Sequence, residues 1–196
     1  MMIHRSRGIA SGLDLSGSYR RCSGYSEIDI ESRSIVRAAC LYRDEDIVLT
    51  IANRASVVAI DAPIAREAKM RELDRIAIRR GYRVLPPSLG GMRMLTQRAW
   101  KIYLELTSLG VEVIETHPGS ALKSSGSESL EDLLNIYGIK TSQEIISKSR
   151  EKDIRDAIIA SIVAYCYYIE KRCIEEIRAS DGTLYLLKPL KQHMTS

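Results

Sequence analysis

The chain has 196 residues, of which 45% are hydrophobic, and its formal net charge is +4. This length suits one domain with a well-buried core, and the ordinary Gly and Pro content excludes collagen-like and disordered classes. No apolar run is long enough to span a membrane, and the N-terminus lacks the apolar segment of a secretory signal, so we expect a cytoplasmic protein with no membrane partner. The mild positive charge permits a nucleic-acid partner without requiring one.

The N-terminal part of the chain predicts three strands, a helix and a fourth strand. The predicted strands cover residues 8–15, 20–30, 33–42 and 56–60. Glu31-Ser32 forms the tight connection between the second and third strands, and Gly24 belongs to the turn chemistry that precedes them. Asp44 begins the helix, which extends to Asn53. The short connections favour an antiparallel meander for the first three strands.

The remaining chain predicts helices over residues 67–80 and 93–109, a fifth strand over 111–115 and a long helix over 153–178. Pro and Gly exclude regular structure from the loop over 82–91. Residues 120–129 are Ser- and Gly-rich, and we expect them to be mobile, whereas Thr141 to Glu144 form a capping box. We therefore expect a single domain over 1–196, with a helical insertion at about 66–109 and a mobile segment at about 119–150.

The four cysteines show no CxxC spacing, which makes a thiolate metal site improbable. Cys166 and Cys173 lie two turns apart on one predicted helix face, where they cannot form a disulfide with each other. We expect Cys22, Cys40, Cys166 and Cys173 all to be reduced.

Five acidic residues stand at places where desolvation is costly. Asp14, Asp61 and Glu115 lie at the ends of predicted strands, and Asp153 and Asp156 begin the last helix, directly before a charge-free run. If these acids converge, a hard divalent cation held by oxygen ligands is the simplest compensation. Alternatives remain for single residues: Asp61 can form a turn before Pro63, Asp153 can cap the helix, and Glu115 can pair with an arginine.

The predicted order, with antiparallel strands first and parallel crossovers later, is that of a ribonuclease H-like α/β domain with a mixed five-stranded sheet. Several sequence strings resemble a family of predicted nucleases with this fold, known only as a domain of unknown function. These strings are Gly12–Ser18, Ala59–Pro63, Arg71–Arg75, Pro86–Arg93, Leu95–Arg98, Ile114–Ala121, and Asp153 with Asp156-Ala157. The resemblance covers most of residues 8–188, and similarity to Holliday-junction resolvases of the same superfamily extends to the fold only.

The resemblance implies metal-dependent hydrolysis of phosphodiester bonds in DNA or RNA. In this interpretation Mg²⁺ or Mn²⁺ is held by Asp14, Asp61 and Asp156, and Asp153 or Glu115 assists. The sequence departs from the family at Thr116-His117, where we expect an apolar or aromatic residue followed by Tyr. His117 is then either a general base or, more commonly for a lone histidine, a structural hydrogen-bonding residue.

Basic and hydroxyl side chains supply candidates for substrate binding. Arg71, Arg75 and Arg79 have a spacing that predicts a stripe on one helix, which either tracks phosphates or is simply a solvated face. Arg93 and Arg98 are candidates for contact with the scissile phosphate or its neighbour. Ser16 and Ser18 resemble a phosphate-binding turn, although no P-loop lysine follows them.

Two other functions compete with the nuclease interpretation. The strand-Asp-turn around Asp14 resembles that of actin-like phosphotransferases and ATPases, which need two such domains, so a homodimer would be required here. The other rival is a nucleic-acid-binding module that kept the fold without the activity. Nucleotide-dependent thermal shifts would identify the first, and absence of metal binding the second.

Overall fold

The computed structural model describes residues 8–169 and 173–190, which form seven strands and seven helices. The strands are β1 (Ile9–Asp14), β2 (Ser23–Asp29), β3 (Ser34–Leu41), β4 (Val57–Asp61), β5 (Glu112–Thr116), β6 (Ile174–Ala179) and β7 (Gly182–Leu187). The helices are α1 (Asp44–Arg54), α2 (Glu72–Arg79), α3 (Gly90–Ser108), α4 (Pro118–Ser125), α5 (Leu130–Ile136), α6 (Gln143–Lys148) and α7 (Lys152–Ile169). No helix within the described ranges is both long enough and apolar enough to cross a membrane.

All seven strands belong to one mixed sheet with the order β3-β2-β1-β4-β5-β7-β6. The first three strands pair antiparallel, whereas β4 pairs parallel to β1, β5 to β4, and β7 to β5. The predicted meander and the predicted parallel crossovers are therefore both present. The parallel strands bring their carboxyl ends to the same edge of the sheet.

The predicted strand count of five was too low, because the last helix ends at Ile169 and not at Arg178. The segment Ile174–Ala179 is rich in Glu, Arg and Ala, which favour helix locally. It nevertheless pairs antiparallel with β7 across the Ser180-Asp181 turn, and this pairing buries Ile177 and Leu184. Burial against a neighbouring strand thus overrides local helix propensity.

The sheet separates two apolar clusters. Side chains alternate along β4, so Val57 and Ala59 pack on the α7 side while Val58 and Ile60 pack on the side of α1 and α3. The helix α7 is buried over nearly its whole length, as its charge-free run predicts. By the same alternation, Asp61 lies on the face covered by α7.

The helix α7 approaches the sheet at two glycines. A Cβ atom added to Gly12 would lie 2.1 Å from the Ala157 carbonyl oxygen, and one added to Gly24 would lie 1.9 Å from that of Asp153. Glycine at these positions lets the helix backbone pack directly on β1 and β2. Gly24 therefore lies inside a strand, where it makes room for a helix, and not in the predicted turn.

One further expectation needs correction. Cys22 and Cys40 form a disulfide, because the antiparallel pairing of β2 and β3 brings their Cα atoms within 5.1 Å, and the other two cysteines, Cys166 and Cys173, are buried. The Ser-rich segment contains α4 and leads into α5, whose first turn is capped by the Ser129 side chain. The mobility and the domain boundaries stay predictions.

Candidate active site

The candidate site lies at the carboxyl ends of the parallel strands. Asp14 on β1 is the register partner of Asp61 on β4, and Asp61 is the partner of Thr116 on β5. Since register partners in a sheet point to the same face, the two carboxylates are neighbours on the side covered by α7. Three residues far apart in sequence are thereby placed in one row.

The start of α7 adds acidic side chains to this row. Burial, together with the charges of the nearby Asp156 and Asp153 carboxylates, raises the pKa of Asp14 to about 7. Burial also raises the pKa of Asp61 well above its usual range, and the charges on Asp14 and Asp156 act in the same direction. Each acid therefore makes its neighbours harder to ionise, as expected where like charges share a partly desolvated site.

Asp156 differs from the strand acids because it has counter-charges. The Lys152 Nζ atom lies 3.1 Å from its Oδ2 atom, and the Arg155 Nε atom lies 3.3 Å from its Oδ1 atom. By contrast, none of the described residues donates a hydrogen bond to Asp14 or Asp61. The two strand carboxylates are thus the uncompensated part of the site.

The donor chemistry fits a hard divalent cation, since every candidate ligand is a carboxylate. Within residues 8–169 and 173–190, however, no three side chains of His, Cys, Asp or Glu are close enough together to hold an ion as they stand. Asp14 and Asp61 are aligned, whereas Asp156 is held by Lys152 and Arg155. A three-carboxylate site requires Asp156 to leave these basic side chains.

Glu115 belongs to a separate, compensated cluster. The Arg71 guanidinium donates to both of its carboxylate oxygens at 2.7 and 2.6 Å, and the Ile64 backbone N–H donates at 2.8 Å. Burial still raises the pKa of Glu115, while Arg71 lowers it. Arg71 also donates to Asp74, and its side chain is only 5% exposed. The alternative in which Glu115 pairs with an arginine is therefore realised, and its catalytic role stays a prediction.

The predicted arginine stripe is not formed. Arg71 precedes α2 and is buried between Asp74 and Glu115, whereas Arg75 and Arg79 are exposed on α2. The spacing alone did not reveal this because the nearby Asp74 and the distant Glu115 capture Arg71. Only Arg75 and Arg79 remain available for the predicted contact with phosphates.

The two arginines of α3 also differ from each other. Arg93 is exposed, but Arg98 donates to Asp44 at 2.7 Å and to the backbone carbonyls of Ser16 and Tyr42 at 2.6 Å. Arg98 therefore ties α3 to the loop after β1, and it is not free to grip a phosphate in this arrangement. The predicted contact of Arg98 with a substrate phosphate stays a prediction, and it requires Arg98 to leave these partners.

The hydroxyl groups of the turn after β1 are engaged locally. Ser16 Oγ accepts from the Ser18 backbone N–H at 3.2 Å, and Ser18 Oγ accepts from that of Arg20 at the same distance. Such bonds are typical of serine turns. The predicted phosphate contacts of Ser16 and Ser18 stay predictions.

His117 caps α4. Its Nδ1 atom accepts from the Ser120 backbone N–H at 3.1 Å and lies 2.7 Å from Ser120 Oγ. Burial lowers its pKa, so the ring is neutral near pH 7 and, with Nδ1 accepting, carries its proton on Nε2. This geometry favours the structural alternative and leaves Nε2–H as a hydrogen-bond donor.

Two clefts meet at the acidic row. One, with a volume of about 250 Å³, combines Asp14 and Asp61 with an apolar wall that includes Val84 and Met92. The other, of about 740 Å³, lies between α4, α5, α6 and α7. Asp61, His117 and Lys152 line both clefts. A substrate that follows either cleft therefore passes the strand carboxylates.

Comparison with solved structures identifies the fold. No protein-family model matches the sequence, and no curated protein matches it. The structure is similar to T. thermophilus RuvC in complex with Holliday junction substrate, with a TM-score of 0.51 and 14% identity over 83% of this chain and 96% of that chain. The predicted ribonuclease H-like fold is therefore confirmed, with seven strands and not five. Identity this low carries the fold alone.

Proposed function

We propose that the protein is a divalent-metal-dependent nuclease, as its resemblance to the family of predicted nucleases implies. The observation that carries the proposal is the in-register pair Asp14 and Asp61, two half-buried carboxylates that accept no hydrogen bond from the described residues. An uncompensated acidic pair costs stability, so its retention is best explained by a cation that binds there. The similar structure of T. thermophilus RuvC is a complex with a Holliday junction substrate, which is a precedent for nucleic-acid binding by a protein of this fold.

In this proposal, the acidic residues of the site and His117 have different roles. Asp14 and Asp61, with Asp156 once it is released from Lys152, would hold Mg²⁺ or Mn²⁺, and Asp153 would add negative charge beside Asp14. When bound, the metal supplies an activated water and stabilises charge on the leaving oxygen. His117 lines both clefts, and its Nε2–H would donate to an oxygen of a substrate phosphate there.

A nucleic-acid substrate agrees with the exposed arginines around the site. Arg75, Arg79 and Arg93 are exposed, and the chain carries a net charge of +4. Guanidinium groups bind phosphates by charge and by paired hydrogen bonds. DNA and RNA both satisfy this chemistry, and the predicted homodimer and cytoplasmic location rest on the sequence alone.

The test is a panel of labelled DNA and RNA substrates, single-stranded, duplex and branched, incubated with Mg²⁺, Mn²⁺ or EDTA. We expect cleavage with metal and none with EDTA. Asp61→Asn should lower cleavage at least about 100-fold, because it removes a charge placed for the transition state. Asp46→Asn, an exposed acid of α1, is the matched control and should cleave like the wild type.

The rival functions give different results in the same panel. Binding without cleavage, unchanged in Asp61→Asn, would identify an inactive binding module. A thermal shift with ATP and Mg²⁺, but none with nucleic acid, would identify an actin-like phosphotransferase or ATPase.

A further inference from the structure

Lys152 is a basic side chain that contacts one acid of the row and lines both clefts. It is the first residue of α7, and its Nζ atom lies 3.1 Å from Asp156 Oδ2. Its side chain is 74% exposed and lines both clefts. The Lys152 ammonium thus pairs with Asp156 and also lines the two clefts that Asp61 lines.

We propose that Lys152 is the internal counter-ion of this site: it holds Asp156 while no divalent cation is bound, and it transfers to a substrate phosphate when a cation takes Asp156. The inference rests on the proposed function, because it requires that a cation binds there. It assigns Lys152 as a phosphate-binding residue and Asp156 as the ligand that changes partner.

The strength of the Lys152–Asp156 pair suits such an exchange. An exposed lysine paired with an acid four residues later contributes about 0.3–0.5 kcal/mol, so a divalent cation readily displaces it. The pair also explains why the described residues contain no ready cluster of three ligands: Asp156 is turned to Lys152 and Arg155. Arg155 Nε, at 3.3 Å, makes the less favourable of the two contacts.

Once released from Asp156, the Lys152 ammonium can bind a substrate phosphate at the place where the two clefts meet. It lies where the two clefts meet, beside Asp61 and His117. A phosphate bound next to the strand carboxylates would bring negative charge to this point. A flexible lysine stem can follow that charge without any movement of α7.

Lys148 provides a matched control within the same molecule. It pairs with Glu144 at 2.7 Å with the same four-residue spacing, and its side chain is also partly exposed. Glu144, however, is 75% exposed on α6 and lines neither cleft. Both lysines thus form an i,i+4 pair, although Lys148 follows its acid and Lys152 precedes its acid, and of the two only Lys152 lines the clefts that Asp61 lines.

The first measurement is the affinity for Mn²⁺ and Mg²⁺ without nucleic acid, by calorimetry, for the wild type, Lys152→Met, Lys152→Arg and Lys148→Met. We expect Lys152→Met to bind the cation about 3–10-fold more tightly, because a competing positive charge is gone. Lys152→Arg and Lys148→Met should bind like the wild type. Equal affinities of Lys152→Met and the wild type would overturn this inference alone. A wild type that binds no cation would overturn the proposed function as well.

The second measurement is the binding of a fluorescent DNA oligonucleotide by anisotropy, in Ca²⁺ to leave the strand uncut and in EDTA. Lys152→Met should weaken binding about 3–10-fold in Ca²⁺ and much less in EDTA, where Asp156 still holds the wild-type lysine. Lys148→Met should match the wild type in both. An equal loss in Ca²⁺ and EDTA would show that Lys152 is a plain surface cation, and it would refute the exchange.

Discussion

Glu115 and Asp61 lie on adjacent strands at the same edge of the sheet, but their carboxylates differ in their hydrogen-bond partners. Glu115 accepts three hydrogen bonds, two from the buried Arg71 and one from the Ile64 backbone. Asp61 accepts none from the described residues and has Asp14 as its register partner. The compensated acid anchors α2 to the sheet, whereas the uncompensated acid is available to a ligand.

A third acid shows that burial alone does not separate the two classes. Glu27 on β2 is fully buried, but Arg54 contacts both of its carboxylate oxygens at 2.7–2.9 Å and Tyr25 donates to it at 3.0 Å. A buried charge with matched donors is a structural element. The comparison therefore identifies Asp14 and Asp61 by their missing partners and not by their depth.

The largest expected effect comes from removing the compensation of Glu115. Arg71→Met should lower the free energy of unfolding by about 3–5 kcal/mol, because Glu115 and Asp74 then remain buried without their counter-charge. Urea denaturation measures the loss. Arg75→Met, at an exposed position on the same helix, should change stability by no more than about 0.5 kcal/mol. A similar result for both variants would mean that the Arg71 cluster is not structural.

A smaller effect is expected where α7 meets the sheet. Gly12→Ala places a methyl group 2.1 Å from the Ala157 carbonyl oxygen, so the helix must move away and stability should fall by about 1–3 kcal/mol. Cation affinity should fall too, because Asp156 moves with the helix. Gly91→Ala in α3 meets open space and should stabilise by about 0.4–1 kcal/mol. Unchanged stability of Gly12→Ala would contradict the close packing.

The smallest effect on stability is expected from Asp14→Asn, which removes one charge of the Asp14–Asp61 pair. The pKa of Asp14 rises from 3.8 to about 7 on folding, so the folded state binds more protons between these values and loses stability as the pH rises through them. Asp14→Asn removes this loss. In EDTA, its stability relative to the wild type should increase by roughly 1–2 kcal/mol between about pH 4 and pH 7, and then stay constant; this is less than the full pKa shift would give, because solvent screens the half-buried carboxylate. Urea denaturation across this range tests it; a destabilised variant at neutral pH would indicate a structural hydrogen-bonding role.

Much of the site's layout was predictable because it depends on local patterns. A run of apolar residues ending at Asp14 or Asp61 marks the end of a buried strand, and parallel strands bring such ends together. The buried helix after Asp156 follows from its uncharged run. These signals involve short segments and a simple rule of topology.

The parts that were missed depend on contacts between distant segments. In the sequence, Arg71 cannot be distinguished from the exposed arginines near it, because its partner Glu115 lies 44 residues away. Arg98 is fixed by carbonyl groups of two loops, and Cys22 finds Cys40 only through the pairing of β2 with β3. Residues 174–179 favour helix until β7 pairs with them. In each case the deciding partner lies far away in sequence.

The hairpin of β6 and β7 has a consequence for how the protein is made. Asp181, in its turn, accepts hydrogen bonds from the backbone N–H groups of Glu72 at 2.6 Å and Leu73 at 3.1 Å, which begin α2 directly after Arg71. The residue that accepts these two hydrogen bonds is therefore synthesised more than 100 positions after the start of α2. During synthesis on the ribosome, the hydrogen bonds between Asp181 and the start of α2 can form only after the β6–β7 hairpin has emerged. Asp14, Asp61, Glu115, Asp153 and Asp156 are all synthesised before Asp181, on which these hydrogen bonds depend.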